Sequence, residues 1–217
     1  TLAISRSPRY AQRRQPRSVH DAILVLGFHT LRNIVMAAAA QSFLSRTNKV
    51  AERLWRHSLA AALAARMLSE RSGIADPEVA FLAGLLHDVG EIVLLNGDPR
   101  GFEEMVEEVR RDHGSLVIKE REKYAFDHAS IGLALLDFWD IDSQIGQATY
   151  WHHYDGDSID ADSLVSILRM ADCLCFKVDL GFFSEPPPPT AQMTHVFGCE
   201  DAESLEALSQ EVRKAFD

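Results

Sequence analysis

The sequence predicts an all-α protein built as a helical bundle. Three observations carry this. Apolar residues recur at helical spacing over nearly the whole 217-residue chain. Residues that start and stop helices punctuate the pattern. Runs with the period-two alternation of strands are negligible.

AILVLGFHTLRNIVMAAAAQSFL predicts a helix over 22–44, with Gly27 as a break near its start. KVAERLWRHSLAAALAARMLSE is rich in strong helix formers and predicts the next over 49–70, and Gly73 stands where it should stop. Asp76 and Pro77 supply an N-cap and a first helical position. The helix they open is expected to run unbroken to residue 94, ended by NGDPRG. Further helices are expected over 101–113, 115–124, 127–138 behind Asp127, 142–153, and 163–179 behind Asp162 or Ser163. GFFSEPPPPTAQ, residues 181–192, is expected to be a surface loop within a single domain spanning 1–217. Consecutive prolines remove backbone donors and favour polyproline II. ESLEALSQEVRKAFD closes the chain as an amphipathic helix.

Composition excludes some functions. The chain is 47% hydrophobic and 25% charged, with ample apolar material for a core. Its formal charge of -10 argues against a general nucleic-acid binder, which needs a basic face, and against adsorption to an anionic membrane. Cys173, Cys175 and Cys199 are too few and irregular for a disulfide framework. Cys173 and Cys175, in an apolar helical run, read as buried thiols, and a reducing cytoplasm fits best. The longest apolar stretches, IVMAAAA and LVSILRMA, fall far short of the roughly 20 residues of a membrane span. The polar, basic TLAISRSPRYAQRRQPRS has no signal-peptide pattern.

Of nine histidines, five sit in apolar helical contexts: His57, His87, His128, His152 and His153. Asp88 and Asp172 share that character. At helical spacing His57 faces Ala60, Ala61, Ala64 and Leu68, and His87 faces Ala80, Ala83 and Gly84. Such thin faces let another helix approach closely. Asp88 shares a face with Gly84, Leu85 and Ile92, and Asp172 with Leu168, Cys175 and Phe176. An ionised aspartate buried there is costly unless something compensates it. A divalent cation held by imidazoles and carboxylates would do so, and this donor mix suits zinc, iron, manganese or nickel. Each residue alone has a plainer reading: His57 as a satisfied core residue, Asp172 as a partner of Arg169, the HH pair as a helix end. The order of the whole group, H, HD, H, HH, D, each on its own helix, points instead to a shared site. His29, His113 and His195 have no such partner set.

That order resembles the HD superfamily of metal-dependent phosphohydrolases. The stretches AILVLGFHTLRNIV, LWRHSLAAALAARML, AFLAGLLHDVGEIVL, YAFDHASIGLALLDFWDI, IGQATYWHH and LVSILRMADCLCF resemble more closely its HDOD branch, the HD-related output domains of bacterial signalling proteins. The resemblance covers nearly the whole chain. It implies an HD-domain-like helical bundle in a bacterial cytoplasmic protein. It also implies that helices which precede the ISRSPRYAQRRQPRSVHDAILVLG region in the family are absent here. By motif position it implies a metal held by His57, His87, Asp88 and Asp172. In the related HD-GYP phosphodiesterases, which hydrolyse cyclic di-GMP, further histidines hold a second metal bridged by the HD aspartate. The matching positions are His128, His152 and His153. Three departures stand beside this. The lysine that contacts phosphate in those enzymes is Glu91 here, the glutamate of their trinuclear subset is Arg53, and YDGDSID replaces the GYP loop.

The expected function is therefore a regulatory signalling module that retains one or two divalent transition-metal ions. Other signalling proteins or domains are its expected partners, with a cyclic dinucleotide or nucleotide as a candidate ligand. Neither nucleic acid nor membrane is expected. The alternative is a metal-dependent phosphohydrolase, a phosphodiesterase or nucleotidase, in which Arg53, Arg56 or Lys123 would neutralise substrate charge. A third reading is a scaffold whose histidines are merely polar core.

Overall fold

The computed structural model describes Met36, 49–154, 160 and 163–217. The helix expected over 22–44 and the Asp162 cap lie outside the described residues, Met36 excepted. Among the described residues every regular element is a helix, as the periodicity predicts. They are α1 (Lys49–Ser72), α2 (Pro77–Leu86), α3 (Val89–Gly97), α4 (Pro99–Asp112), α5 (Leu116–Tyr124), α6 (His128–Phe138), α7 (Ser143–Trp151), α8 (Leu164–Lys177), α9 (Ala191–Val196) and α10 (Ala202–Phe216). Phe43–Asp217 form one compact unit.

Polar side chains start most of these helices by satisfying backbone N–H groups that have no partner in the first turn. Asp76 accepts from the nitrogens of Glu78 and Val79, with Pro77 at the first position. Ser115, Asp127 and Asp142 do the same for α5, α6 and α7. Ser163 and Asp201 form reciprocal capping boxes on α8 and α10.

The continuous helix expected over 77–94 is two helices. The break falls at His87 and Asp88, where Asp88 leaves the helical region with φ -104° and ψ 20°. Adjacent residues on a continuous helix point roughly 100° apart. The break relaxes that constraint and turns both side chains toward one centre. Asp88 stands at the N-cap position of α3, yet its carboxylate caps nothing. Other boundaries also differ, the helix expected over 142–153 ending at Trp151 and that over 163–179 at Lys177, and two shifts follow from caps. The helix expected from 101 starts at Pro99, because Asp98 accepts from the Gly101 nitrogen. The loop expected to reach 192 ends earlier, because Thr190 caps the short α9.

Two glycines set helix spacing near that break. A Cβ on Gly84 would lie 2.6 Å from the Ala61 carbonyl oxygen, so α2 rests directly on the alanine face of α1. A Cβ on Gly90 would lie 2.0 Å from the His128 carbonyl oxygen, so α3 touches the start of α6 backbone to backbone. Around these contacts Leu54, Leu68, Leu82, Leu86, Leu136 and Leu174 are fully buried.

Candidate metal centre

The close packing brings the polar residues predicted from the sequence to one place. His57 from α1, His87 and Asp88 from the α2–α3 break, His128 at the first position of α6, His152 just past α7 and Asp172 from α8 are all buried there. His153 is half-buried beside them, its ring 3.9 Å from that of His152 and 4.9 Å from that of His128.

The orientation of the imidazoles is fixed from outside. His57 Nδ1 donates to the Leu180 carbonyl (3.0 Å), His87 Nδ1 to the Gly84 carbonyl (2.8 Å) and His152 Nδ1 to the Thr149 carbonyl (2.5 Å). His128 Nδ1 donates to the Glu120 carboxylate (2.7 Å). A carbonyl only accepts, so the Nδ1 atoms of His57, His87 and His152 carry their protons. The Nε2 atoms are thereby turned inward.

They converge on two carboxylates. Asp88 Oδ2 lies 3.2 Å from His57 Nε2 and 3.1 Å from His87 Nε2, and Asp172 Oδ1 lies 3.3 Å and 3.2 Å from the same two atoms. The other Asp88 oxygen, Oδ1, lies 3.4 Å from His152 Nε2 and 3.6 Å from His128 Nε2. Asp88 thus faces two sets of histidines, one per oxygen. Asp88 Oδ1, Asp172 Oδ1, His128 Nε2 and His152 Nε2 are buried and make no hydrogen bond among the described residues. His57 and His87 bring their Nε2 atoms within 3.2 Å of each other. Such inward lone pairs beside two carboxylates fit a cation. Ligand atoms of Asp88, His128, His152 and His153 lie within 4.8 Å of one another, as do those of His57, His87 and Asp88. The cluster could hold a metal.

Electrostatics agree. Burial pushes the His57 imidazole down, but the adjacent carboxylates of Asp172 and Asp88 outweigh it and raise it to about 9. The same two carboxylates raise His87 against its burial. Burial works against the ionised Asp88 and Asp172, yet the histidines around them, His87 foremost, hold both below the usual carboxylate range. His153 is lowered by burial and by its neighbours His152 and His128. The carboxylates demand positive charge, supplied by protons or by a metal ion.

The plainer reading of Asp172 does not hold, whereas the HH pair does stand at a helix end, with His152 as the C-cap of α7. Asp172 faces His57 and His87, whereas Arg169 donates to the Pro188 carbonyl instead. The proposed substrate cations lie elsewhere. Arg56 is exposed over Phe216, Lys123 donates to the Gly101 carbonyl, and Arg53 is tied to Asp179 and Gly181. A cleft of about 770 Å³ opens onto the cluster, with Tyr150, Trp151, Tyr154 and Phe176 among its walls. Its one lining arginine, Arg121, is paired with Asp127 at 2.7 Å. Glu91 also lines it, buried, and is raised well above the usual carboxylate range by burial and by Asp88 and Glu120. Sequence reasoning missed Glu120. It is wholly buried and accepts from both the backbone nitrogen and Nδ1 of His128. Nothing in the charged run IKEREKY marks one glutamate as internal.

The family model for the HDOD domain matches residues 1–154. Among solved structures, an HDOD domain protein of unknown function from Geobacter sulfurreducens is 25% identical, with a TM-score of 0.74, covering 100% of this chain and 79% of that one. A candidate phosphohydrolase from Shewanella amazonensis is 25% identical, with a TM-score of 0.68 and coverages of 98% and 78%. A candidate signal transduction protein from Marinobacter aquaeolei is 22% identical, with a TM-score of 0.77 and coverages of 100% and 49%. The chain spans 30% of the length of a curated, uncharacterized protein of Treponema pallidum that it matches at 23% identity over 156 residues. Among the described residues no helix is long and apolar enough to cross a membrane.

Proposed function

Because this chain belongs to the HDOD family, we propose that it is a regulatory signalling module organised around a retained metal centre. His57, His87, Asp88 and Asp172 would hold one divalent ion, and His128, His152 and His153 would complete a second position bridged by Asp88. The observation that carries this is the set of imidazoles locked by outward Nδ1 hydrogen bonds, with Nε2 aimed at Asp88 and Asp172. Metal-ligating histidines are oriented by such outer partners.

The regulatory reading rests on Glu91. It occupies the place of a phosphate-contacting lysine and is buried beside Asp88 and Glu120. A carboxyl group there offers a phosphodiester no positive charge, and Arg121 is already engaged by Asp127. Partners would be other signalling proteins or domains, in a bacterial cytoplasm.

The open cleft above the cluster favours a second reading, a metal-dependent phosphohydrolase acting on a nucleotide or cyclic dinucleotide. A bound divalent ion would supply Lewis-acid polarisation of a phosphoryl oxygen and a more acidic water. The residues' own contribution would be to hold that ion and to wall the cleft with aromatic rings.

Elemental analysis of protein prepared without chelators, combined with a panel of cyclic dinucleotides and nucleotides, tests both. Bound transition metal without turnover is the expected result. Turnover moves the function to the second reading, and absence of metal removes both.

A further inference from the structure

We propose that Arg53 is a positioning residue for the metal centre, acting through the backbone segment that holds His57. The metal-binding arm of its test rests on the function proposed above, whereas the other arm does not.

Arg53 lies on α1, one turn before His57. Its Nε donates to the Gly181 carbonyl at 2.9 Å and its Nη2 to Asp179 at 2.8 Å. Its guanidinium lies over the Phe183 ring, 5.4 Å from the centroid. These anchors flank Leu180 on both sides, and the Leu180 carbonyl is the acceptor of His57 Nδ1. The next residue but one, Phe182, stacks on the His57 ring with centroids 6.5 Å apart. The arch from 179 to 183 therefore both orients and covers one imidazole of the centre.

Burial of Leu180 and Phe182 packs the arch, but no regular element holds its backbone. α8 ends at Lys177, and no helical ladder continues. Asp179 and Phe183 have φ of 56° and 46°, left-handed values that non-glycine residues adopt only when their surroundings impose them. The Leu180 nitrogen donates to the Cys175 carbonyl, which fixes the exit from α8 but does not tie the arch to α1. Arg53 ties the arch to α1 on both sides of Leu180, beside the His57–Leu180 hydrogen bond itself. A planar guanidinium with several fixed donors reaches a carboxylate and a carbonyl at once, which a lysine ammonium does not reproduce. With the arch in place, His57 keeps its proton on Nδ1 and aims Nε2 at Asp88 and Asp172. With the arch released, the imidazole loses its acceptor and its fixed direction.

The test uses the full chain with Arg53→Ala and Arg53→Lys. The first readout is solvent exchange of the His57 Nδ1–H proton by 15N-edited NMR, assigned by its disappearance in His57→Gln. The second is the dissociation constant for Mn2+ by calorimetry. Both variants should exchange that proton roughly tenfold faster or more, as local opening of the arch requires. Both should bind Mn2+ about tenfold more weakly, the lower end of the effect of outer-partner loss. An unchanged exchange rate in the variants overturns the proposal. If Arg53→Ala does not fold, Arg53→Lys decides alone. If the wild-type chain takes up no Mn2+, the metal reading falls, and the exchange rate still decides the role of Arg53.

Discussion

Glu120 and His128 are joined twice, the carboxylate accepting from the His128 backbone nitrogen at 2.9 Å and from its Nδ1 at 2.7 Å. One side chain thereby fixes both where α6 begins and which way its first imidazole points. Glu120→Ala should leave a buried Nδ1–H without an acceptor. Affinity for a divalent metal is expected to fall roughly 10- to 100-fold, the usual range for loss of an outer partner. Calorimetric titration with Mn2+ checks this, and unchanged affinity would show that His128 is not a ligand.

Asp88 is the residue shared by both halves of the centre. Asp88→Ala should abolish tightly bound metal altogether. His57→Ala and His152→Ala should each remove one ion of two, because each serves a different Asp88 oxygen. Metal-to-protein ratios from elemental analysis read the difference. Equal losses in all three variants would argue for a single shared ion.

Gly90→Ala tests the backbone contact between α3 and α6. The new Cβ would fall 2.0 Å from the His128 carbonyl oxygen, and no flexible side chain is there to move aside. Overpacking of this kind costs about 1–3 kcal/mol. A lower midpoint in urea should come with weaker metal binding, since α6 carries His128. Stability at the wild-type level would show that the two helices can separate freely.

Tyr124 predicts a pH signature away from the centre. Burial, then the hydrogen bond to Asp98 at 3.1 Å, push its phenol up from 10.0 to about 12. The folded state holds that proton more tightly than the unfolded chain does. Its stabilising effect is therefore complete below pH 10 and is lost as pH rises through about 12. Ultraviolet titration should show a late tyrosine phase, and Tyr124→Phe should remove it. A normal titration in the wild type would contradict the Asp98 bond.

Helix existence was legible because local chemistry decides it. Asp76-Pro77, Asp127 and Ser163 cap where their sequence signals stand, and the apolar spacing between them is helical. The break at His87-Asp88 was not legible. Alone, AFLAGLLHDVGEIVLL reads as one helix, and only the contacts of both side chains with His57, Asp172, His128 and His152 explain why it divides.

The same division holds for the centre. Sequence by itself named the imidazoles and carboxylates, because a histidine or aspartate on an apolar helix face is anomalous wherever it occurs. It did not show that Arg53 binds Asp179 and Gly181, and it passed over Glu120. Arg53 meets a partner 128 residues away in Gly181, whereas Glu120 meets His128 eight residues on, across the break between α5 and α6. Direction and distance between helices are products of packing, not of local propensity, so only the tertiary structure decided which nitrogen faces inward and what holds it there.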